Sequence, residues 1–253
     1  MKKSIIILTA IALIAGGCNR ATKKQSEETL QVSNNLKNAD CQSDITRNKD
    51  RTVPMTSDIV SPVGMDNVTH TMPKNELKRL NTFLSNFPEA HTINFNVNTI
   101  TSEDLIHFGI IHNWHNNNNR FVLLNNDDDD DELGYCGIDG KYISESIKKY
   151  FDIDFKEHCD VKGKDGHVYY RYDGKFYHCS IGEGDPISMT RIKEVYRNDA
   201  GQLKITGEIG STHEDEIEDE DVSATFEAYA KPYKYKGKDT WAIISFKSKK
   251  LHQ

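Results

Sequence analysis

All 23 aromatic residues of this 253-residue chain, 10 Phe, 2 Trp and 11 Tyr, lie at or beyond Phe83. Large rings supply much of the apolar area a core buries, so the first third of the chain lacks the material for a core of its own. The hydrophobic content of 36% therefore averages a polar leading segment with a region of ordinary core-forming composition. Acidic residues outnumber basic ones 39 to 32, a formal charge of −7. That balance argues against nucleic acid as a partner, because a general binder needs a basic face to neutralise phosphates.

Lys2 and Lys3 precede an apolar run over residues 5–14, interrupted only by Thr9, and then come Ala15, Gly16, Gly17 and Cys18. A positive start, an apolar stretch and small residues form the layout of an export signal. The run is too short to span a bilayer comfortably, which takes about 20 apolar residues. A cysteine directly after small residues resembles the lipobox of bacterial lipoproteins, with Ala15 standing where Leu is usual. The resemblance implies that residues 1–17 are a signal peptide removed in maturation, that Cys18 is diacylated on sulfur, and that its new amine is acylated. It implies export to the cell envelope and a lipid anchor in a bacterial membrane, the outer membrane preferred. Several acyl chains hold more firmly than one. Loss of Lys2 and Lys3 leaves 30 basic against 39 acidic side chains, a charge of −9, so lipid and not a polybasic patch would supply the anchoring.

Residues 18–72 are rich in Asn, Ser, Thr, Lys, Gln and Asp and hold no sustained period. They read as a flexible tether, with Ile59, Val60 and Val63 a small group able to dock on the domain beyond it. Four cysteines remain beyond Cys18: Cys41, Cys136, Cys159 and Cys179, an even number suited to an oxidising compartment. They allow three full pairings. The Asp173-Gly174 turn folds the chain back and favours a disulfide between Cys159 and Cys179, with Cys41 in the tether left over. Buried free thiols are the alternative.

A single domain is expected over residues 73–250. Leu77, Leu80, Leu84 and Phe87 recur at helical spacing between Pro73, suited to a first turn, and Pro88, a stop. Ile93, Phe95 and Val97 alternate as a short strand. Thr101 and Asp104 form a capping signature before a second helix that is apolar nearly all round and therefore buried. Residues 121–124 suggest a brief strand and 144–151 a third helix. Beyond residue 165 the period becomes two. Strands are expected at 167–172 and 175–179 around Asp173-Gly174, then at 187–197, 202–209, 222–230 and 241–246. Helices first and hairpins after imply an α+β fold, the N-terminal helices packed on one curved antiparallel β-sheet of about five to seven strands. By analogy its shape would be of the cystatin or nuclear-transport-factor type.

Candidate chemistry is sparse. His107, His112 and His115 lie on or near the second helix but lack the Glu of a zinc protease motif. His158-Cys159 and His178-Cys179 suggest a third ligand or a Cys-His nucleophile pair. The acidic run at residues 127–132 fails the EF-hand pattern at Leu133 and Gly140 and reads as a solvated loop, as does 214–221. Glu183 and Asp185 are a weak echo of a glycosidase carboxylate pair. Tyr169, Tyr172 and Tyr177 on one hairpin offer rings for sugar stacking or for anchoring a protein partner, although tyrosine also simply suits strands. No nucleotide, dinucleotide or hydrolase-elbow motif is present, and no cofactor or metal is expected.

The segment Leu80-Asn81-Thr82-Phe83-Leu84-Ser85-Asn86-Phe87, with residues 102–113, resembles bacterial lipoproteins of unknown function, which carry a related Leu-Asn-x-Phe-Leu-Ser-Asn-Phe helix. That family brings no activity with it. The expected function is a membrane-anchored envelope lipoprotein that binds a ligand, glycan or envelope protein through its sheet without catalysis. The alternative is an exported hydrolase using the His, Cys or acidic residues above.

Overall fold

The structure is a computed structural model and describes residues 64–124, 136–162, 168–179, 187–212 and 217–251. The signal peptide, Cys18, Cys41, most of the tether, the acidic run at 127–132 and the Glu183/Asp185 pair lie outside the described residues. In chain order the elements are β1 (Asp66–Asn67), α1 (Lys74–Glu89), β2 (Asn94–Asn96), α2 (Ser102–Asn116), β3 (Phe121–Leu123), β4 (Cys136–Asp139) and α3 (Gly140–Phe151). Then come β5 (Val161–Lys162), β6 (Val168–Tyr172), β7 (Phe176–Cys179), β8 (Ile187–Arg197), β9 (Leu203–Thr212), β10 (Val222–Tyr235) and β11 (Lys238–Lys250).

The helices form where local chemistry asks for them. Thr101 caps α2: its Oγ1 accepts from the Asp104 N–H at 3.1 Å and donates to the Asp104 carboxylate at 2.9 Å. Asp139 caps α3 through the Lys141 N–H at 2.9 Å, so α3 begins four residues before the expected start at Ser144. Pro88 sits inside the last turn of α1, and the helix ends one residue later, at Glu89. Proline cannot donate the next helical hydrogen bond, and the chain soon leaves the helix.

The fold is α+β as expected, but with two antiparallel sheets in place of one. The large sheet runs β1-β8-β9-β10-β11-β2 and the small sheet β3-β4-β7-β6-β5. The β6–β7 hairpin leaves the expected common sheet because β7 pairs with β4, placing Cys136 opposite Cys179 and Ile138 opposite Tyr177. Neither β4 nor the two-residue β5 has enough alternation to be legible in sequence. The ordered fold also starts before residue 73. Asp66 and Asn67 pair with Arg197 and Tyr196, the Val68 N–H donates to Val195, and Met72 is buried.

One ring joins most of the core. Phe87, fully buried on α1, has centroid distances of 5.5 Å to Phe83, 5.4 Å to Phe108, 5.7 Å to Phe151 and 5.8 Å to Phe246. It thereby links all three helices to β11. Polar stitches fix α1 on β8: Ser85 Oγ accepts from the Thr190 N–H at 3.0 Å, and Asn81 Oδ1 from the Ile192 N–H at 3.2 Å. Between α2 and α3, buried Asn113 donates to Gly109 O at 2.7 Å and Ser146 Oγ at 2.9 Å and accepts from Arg120 at 3.0 Å. Among the described residues no helix is long and apolar enough to cross a membrane.

Candidate functional site

A groove of about 670 Å³ opens where the first turns of α1 face the ends of the β8–β9 and β10–β11 hairpins. Helical spacing sets Asn75, Glu76 and Arg79 on one face of α1. Ladder register sets Pro232 opposite Trp241 and Lys234 opposite Asp239 across β10 and β11. Arg79 lies over the Trp241 ring at 5.5 Å and donates to the Asp239 carbonyl at 2.6 Å. Arg197 donates to Glu76 at 2.8 Å. Arg79, Arg197 and Lys234 against Glu76 and Asp239 leave the groove one positive charge in excess, on a chain whose formal charge is −7. Tyr233 and Trp241 give it an aromatic wall.

A smaller cavity of about 310 Å³ lies between α2 and β5–β6, lined by Glu103, Asp104 and His107 with Lys162, Tyr169 and Tyr170. His107 Nδ1 is 3.2 Å from Tyr170 OH. Burial, and then the nearby His91, lower the pKa of His107, while burial raises that of Tyr170. Both groups are thus neutral hydrogen-bonding partners near neutral pH.

The three tyrosines singled out from sequence separate. Tyr169, 54% exposed, reaches the rim of the small cavity. Tyr177 is fully buried, and its hydroxyl lies 2.9 Å from His158 Nδ1. Tyr172 stacks on the His158 ring at 5.1 Å and donates to the Gly174 carbonyl. Neither Tyr172 nor Tyr177 lines either cavity, because alternation along a hairpin turns neighbouring rings to opposite faces and packing consumes the inner ones.

The cysteine pairing also differs from expectation. Cys159 is disulfide-bonded, but Cys179 is not its partner. Cys179 is a thiol on β7, and its Sγ faces Cys136 Sγ at 3.6 Å. The Asp173-Gly174 turn does fold the chain back, yet its register sets Tyr172 against Tyr177 and Arg171 against His178. Cys179 consequently stands opposite Cys136 of β4, with Cys159 outside the ladder.

The histidines do not converge on one centre. His112 is buried against Phe108 and Tyr150, and burial lowers its pKa to about 3, with Lys149, Arg120 and His115 adding to the effect. His115 is exposed. His178 Nε2 lies 2.8 Å from Asp173 Oδ2 at the hairpin turn, where the carboxylate also accepts from the Lys175 and Phe176 N–H groups. Burial pushes the Asp173 carboxyl up, but these bonds outweigh it and hold it below the usual range. That His–carboxylate pair clamps the turn and lines neither cavity. Among the described residues no group of three His, Cys, Asp or Glu side chains is arranged to hold a metal.

One relay has no signature in the sequence. Ser144 Oγ lies 2.9 Å from His158 Nε2, whose other nitrogen meets Tyr177 OH. Burial lowers the His158 pKa against a smaller opposing pull from Asp139, so the ring is a neutral base next to a hydroxyl. Ser144 is not among the residues lining either cavity, and a neutral tyrosine stands where a carboxylate would stabilise an imidazolium. Spacing offers no warning, since Ser144, His158 and Tyr177 come from α3, an irregular segment and β7.

Comparison with protein-family models, curated proteins and solved structures finds no match.

Proposed function

We propose that this chain is a lipid-anchored envelope lipoprotein whose α+β domain binds a ligand or partner without catalysing its conversion, and that the α1/β10–β11 groove is the binding site. The groove carries this reading. It has the volume of a small-molecule site, an aromatic wall and convergent charged groups. Its positive excess on an acidic chain suits a ligand with a negative charge and a ring or apolar face, such as an acidic glycan unit. The lipid anchor rests on the run from Lys2 to Cys18. Bulges between Ile192 and Glu194, Val222 and Ala224, and Tyr229 and Ala230 would bend the large sheet into the curved form expected from sequence.

Titration of the chain with acidic and neutral oligosaccharides, followed by tryptophan emission and calorimetry, tests the groove. Saturable binding of acidic members that is weakened at least tenfold in Arg197→Ala supports it. Equal binding by that variant, or none by either protein, rejects it. For the anchor, Cys18→Ala should abolish acyl labelling in the native host.

A second reading, an exported hydrolase, has one specific observation in its favour, the Ser144–His158 hydrogen bond. A serine-directed fluorophosphonate probe separates the two readings. Labelling lost in Ser144→Ala supports the hydrolase; an unlabelled Ser144 rejects it.

A further inference from the structure

Cys136 opens β4 and Cys179 closes β7, and the two strands pair in register with these residues directly opposite. Opposed residues of an antiparallel pair have Cα atoms about 4.5–5.5 Å apart, and a disulfide accepts about 4.4–6.8 Å. The side chains share a face: the two sulfurs are 3.6 Å apart, and Cys136 Sγ lies 3.0 Å from the Cys179 carbonyl oxygen. Closing the bond requires side-chain rotation and a small approach of the strands, with no change of register. Cys159, the other cysteine of the described domain, is already disulfide-bonded elsewhere. We infer that Cys136 and Cys179 are a disulfide-forming pair, oxidised on exposure to a disulfide oxidant, and that their bond staples the central strand of the small sheet, β7, to its neighbour β4.

The small sheet is where a staple has most effect. Its outer strands β3 and β5 span three and two residues, and β4 and β7 four each. Such short ladders hold few hydrogen bonds. The chain between the two cysteines carries α3, β5 and β6, so a cross-link would remove a large loop's worth of freedom from the unfolded state.

The chemistry is ordered by access. Cys136 is half-buried, whereas Cys179 is fully buried. The Cys136 thiolate attacks an external disulfide RS–SR; its S–S bond breaks, one RS⁻ leaves, and a mixed disulfide forms on Cys136. The Cys179 thiol then gives its proton to solvent and attacks the Cys136 sulfur, expelling the second RS⁻. Two protein thiols lose two electrons, the oxidant is reduced to two RSH, and the released protons end on those thiols. The neighbouring Cys136, and then burial, push the Cys179 thiol up. Charge on Cys136 vanishes in the mixed disulfide, which relieves part of that suppression at the moment Cys179 must react.

The test uses the full chain purified with reductant, then incubated with oxidised glutathione, denatured, alkylated and digested without reduction. The expected product is one cross-linked peptide pair containing Cys136 and Cys179, with alkylation lost at both. Under the same treatment Cys179→Ser should trap glutathione on Cys136, while Cys136→Ser should leave Cys179 as an alkylatable thiol. Full alkylation of both cysteines in the wild-type chain, or either one linked to Cys159, overturns the inference. Retention of zinc by the unoxidised pair in place of disulfide formation overturns it too. Because the oxidant is supplied in the tube, the result is independent of whether the groove binds a ligand.

Discussion

The guanidinium of Arg79 lies 5.5 Å from the centre of the Trp241 ring and is tied to the Asp239 carbonyl at 2.6 Å, so an exposed arginine roofs a nearly buried tryptophan. Arg79→Ala should uncover that ring at small energetic cost, about 0.5–1 kcal/mol for an exposed cation–π pair. Acrylamide quenching should rise while the thermal midpoint changes little. The chain has two tryptophans, so the same measurement in a Trp114→Phe background assigns the change to Trp241. Unchanged quenching would mean that Arg79 does not cover the groove wall in solution.

His112 should make the domain acid-sensitive. Its pKa is about 3 in the folded chain against an ordinary 6.5, so the unfolded state binds the extra proton between those values. Stability is therefore complete above about pH 6.5 and falls as pH drops towards 3, with a loss of about 2–3 kcal/mol by about pH 4.5. Lys149, Arg120 and His115 all oppose a charge on the ring, in the same direction as burial. Urea denaturation of the wild type and His112→Gln at several pH values should show the slope shrinking in the variant.

Gly109 lets α2 approach α3 closely at Ile143. A Cβ there would stand 2.6 Å from Ile143 Cγ2 and 3.3 Å from its Cα. Gly109→Ala gains about 1 kcal/mol of helix propensity but must push the helices apart, which typically costs about 1–3 kcal/mol. Net destabilisation is expected, and Gly109→Ala with Ile143→Leu, which removes the β-branch methyl Cγ2, should recover part of it. Urea midpoints of the single and double variants check both signs.

Phe87→Ala should cost about 3–5 kcal/mol, because one truncation opens a cavity among rings from α1, α2, α3 and β11. Chemical denaturation should show a lowered midpoint with an unchanged slope. A loss under about 1 kcal/mol would contradict its central place in the core.

Much of the fold could be read locally. The Thr101–Asp104 cap, the apolar face of α1, the Asp173-Gly174 turn and the β8 span from Ile187 to Arg197 appear in the structure where residue chemistry put them. Gly174 and Gly201 adopt positive φ, +97° and +76°, as tight turns require of a residue without a Cβ. The site was less legible. Tyr169 does reach a cavity, but Tyr177 serves His158 in the interior, and the groove is built from Arg79, Arg197 and Trp241, none of which stands in a motif.

The uneven distribution of aromatics marks where a core can form, and caps, turns and alternation assign most helices and hairpins, because each acts over a few residues. Partnerships across long sequence separations obey a different rule. That β7 lies beside β4 and not in the large sheet, that Cys179 faces Cys136 and not Cys159, and that Ser144 meets His158 depend on how the helices and two sheets divide the buried apolar area. A strand carries the same alternation whichever neighbour it takes. Its partner is selected by the packing of Ile138, Ile143, Ile147 and Tyr177 in the core, a property of the assembled fold.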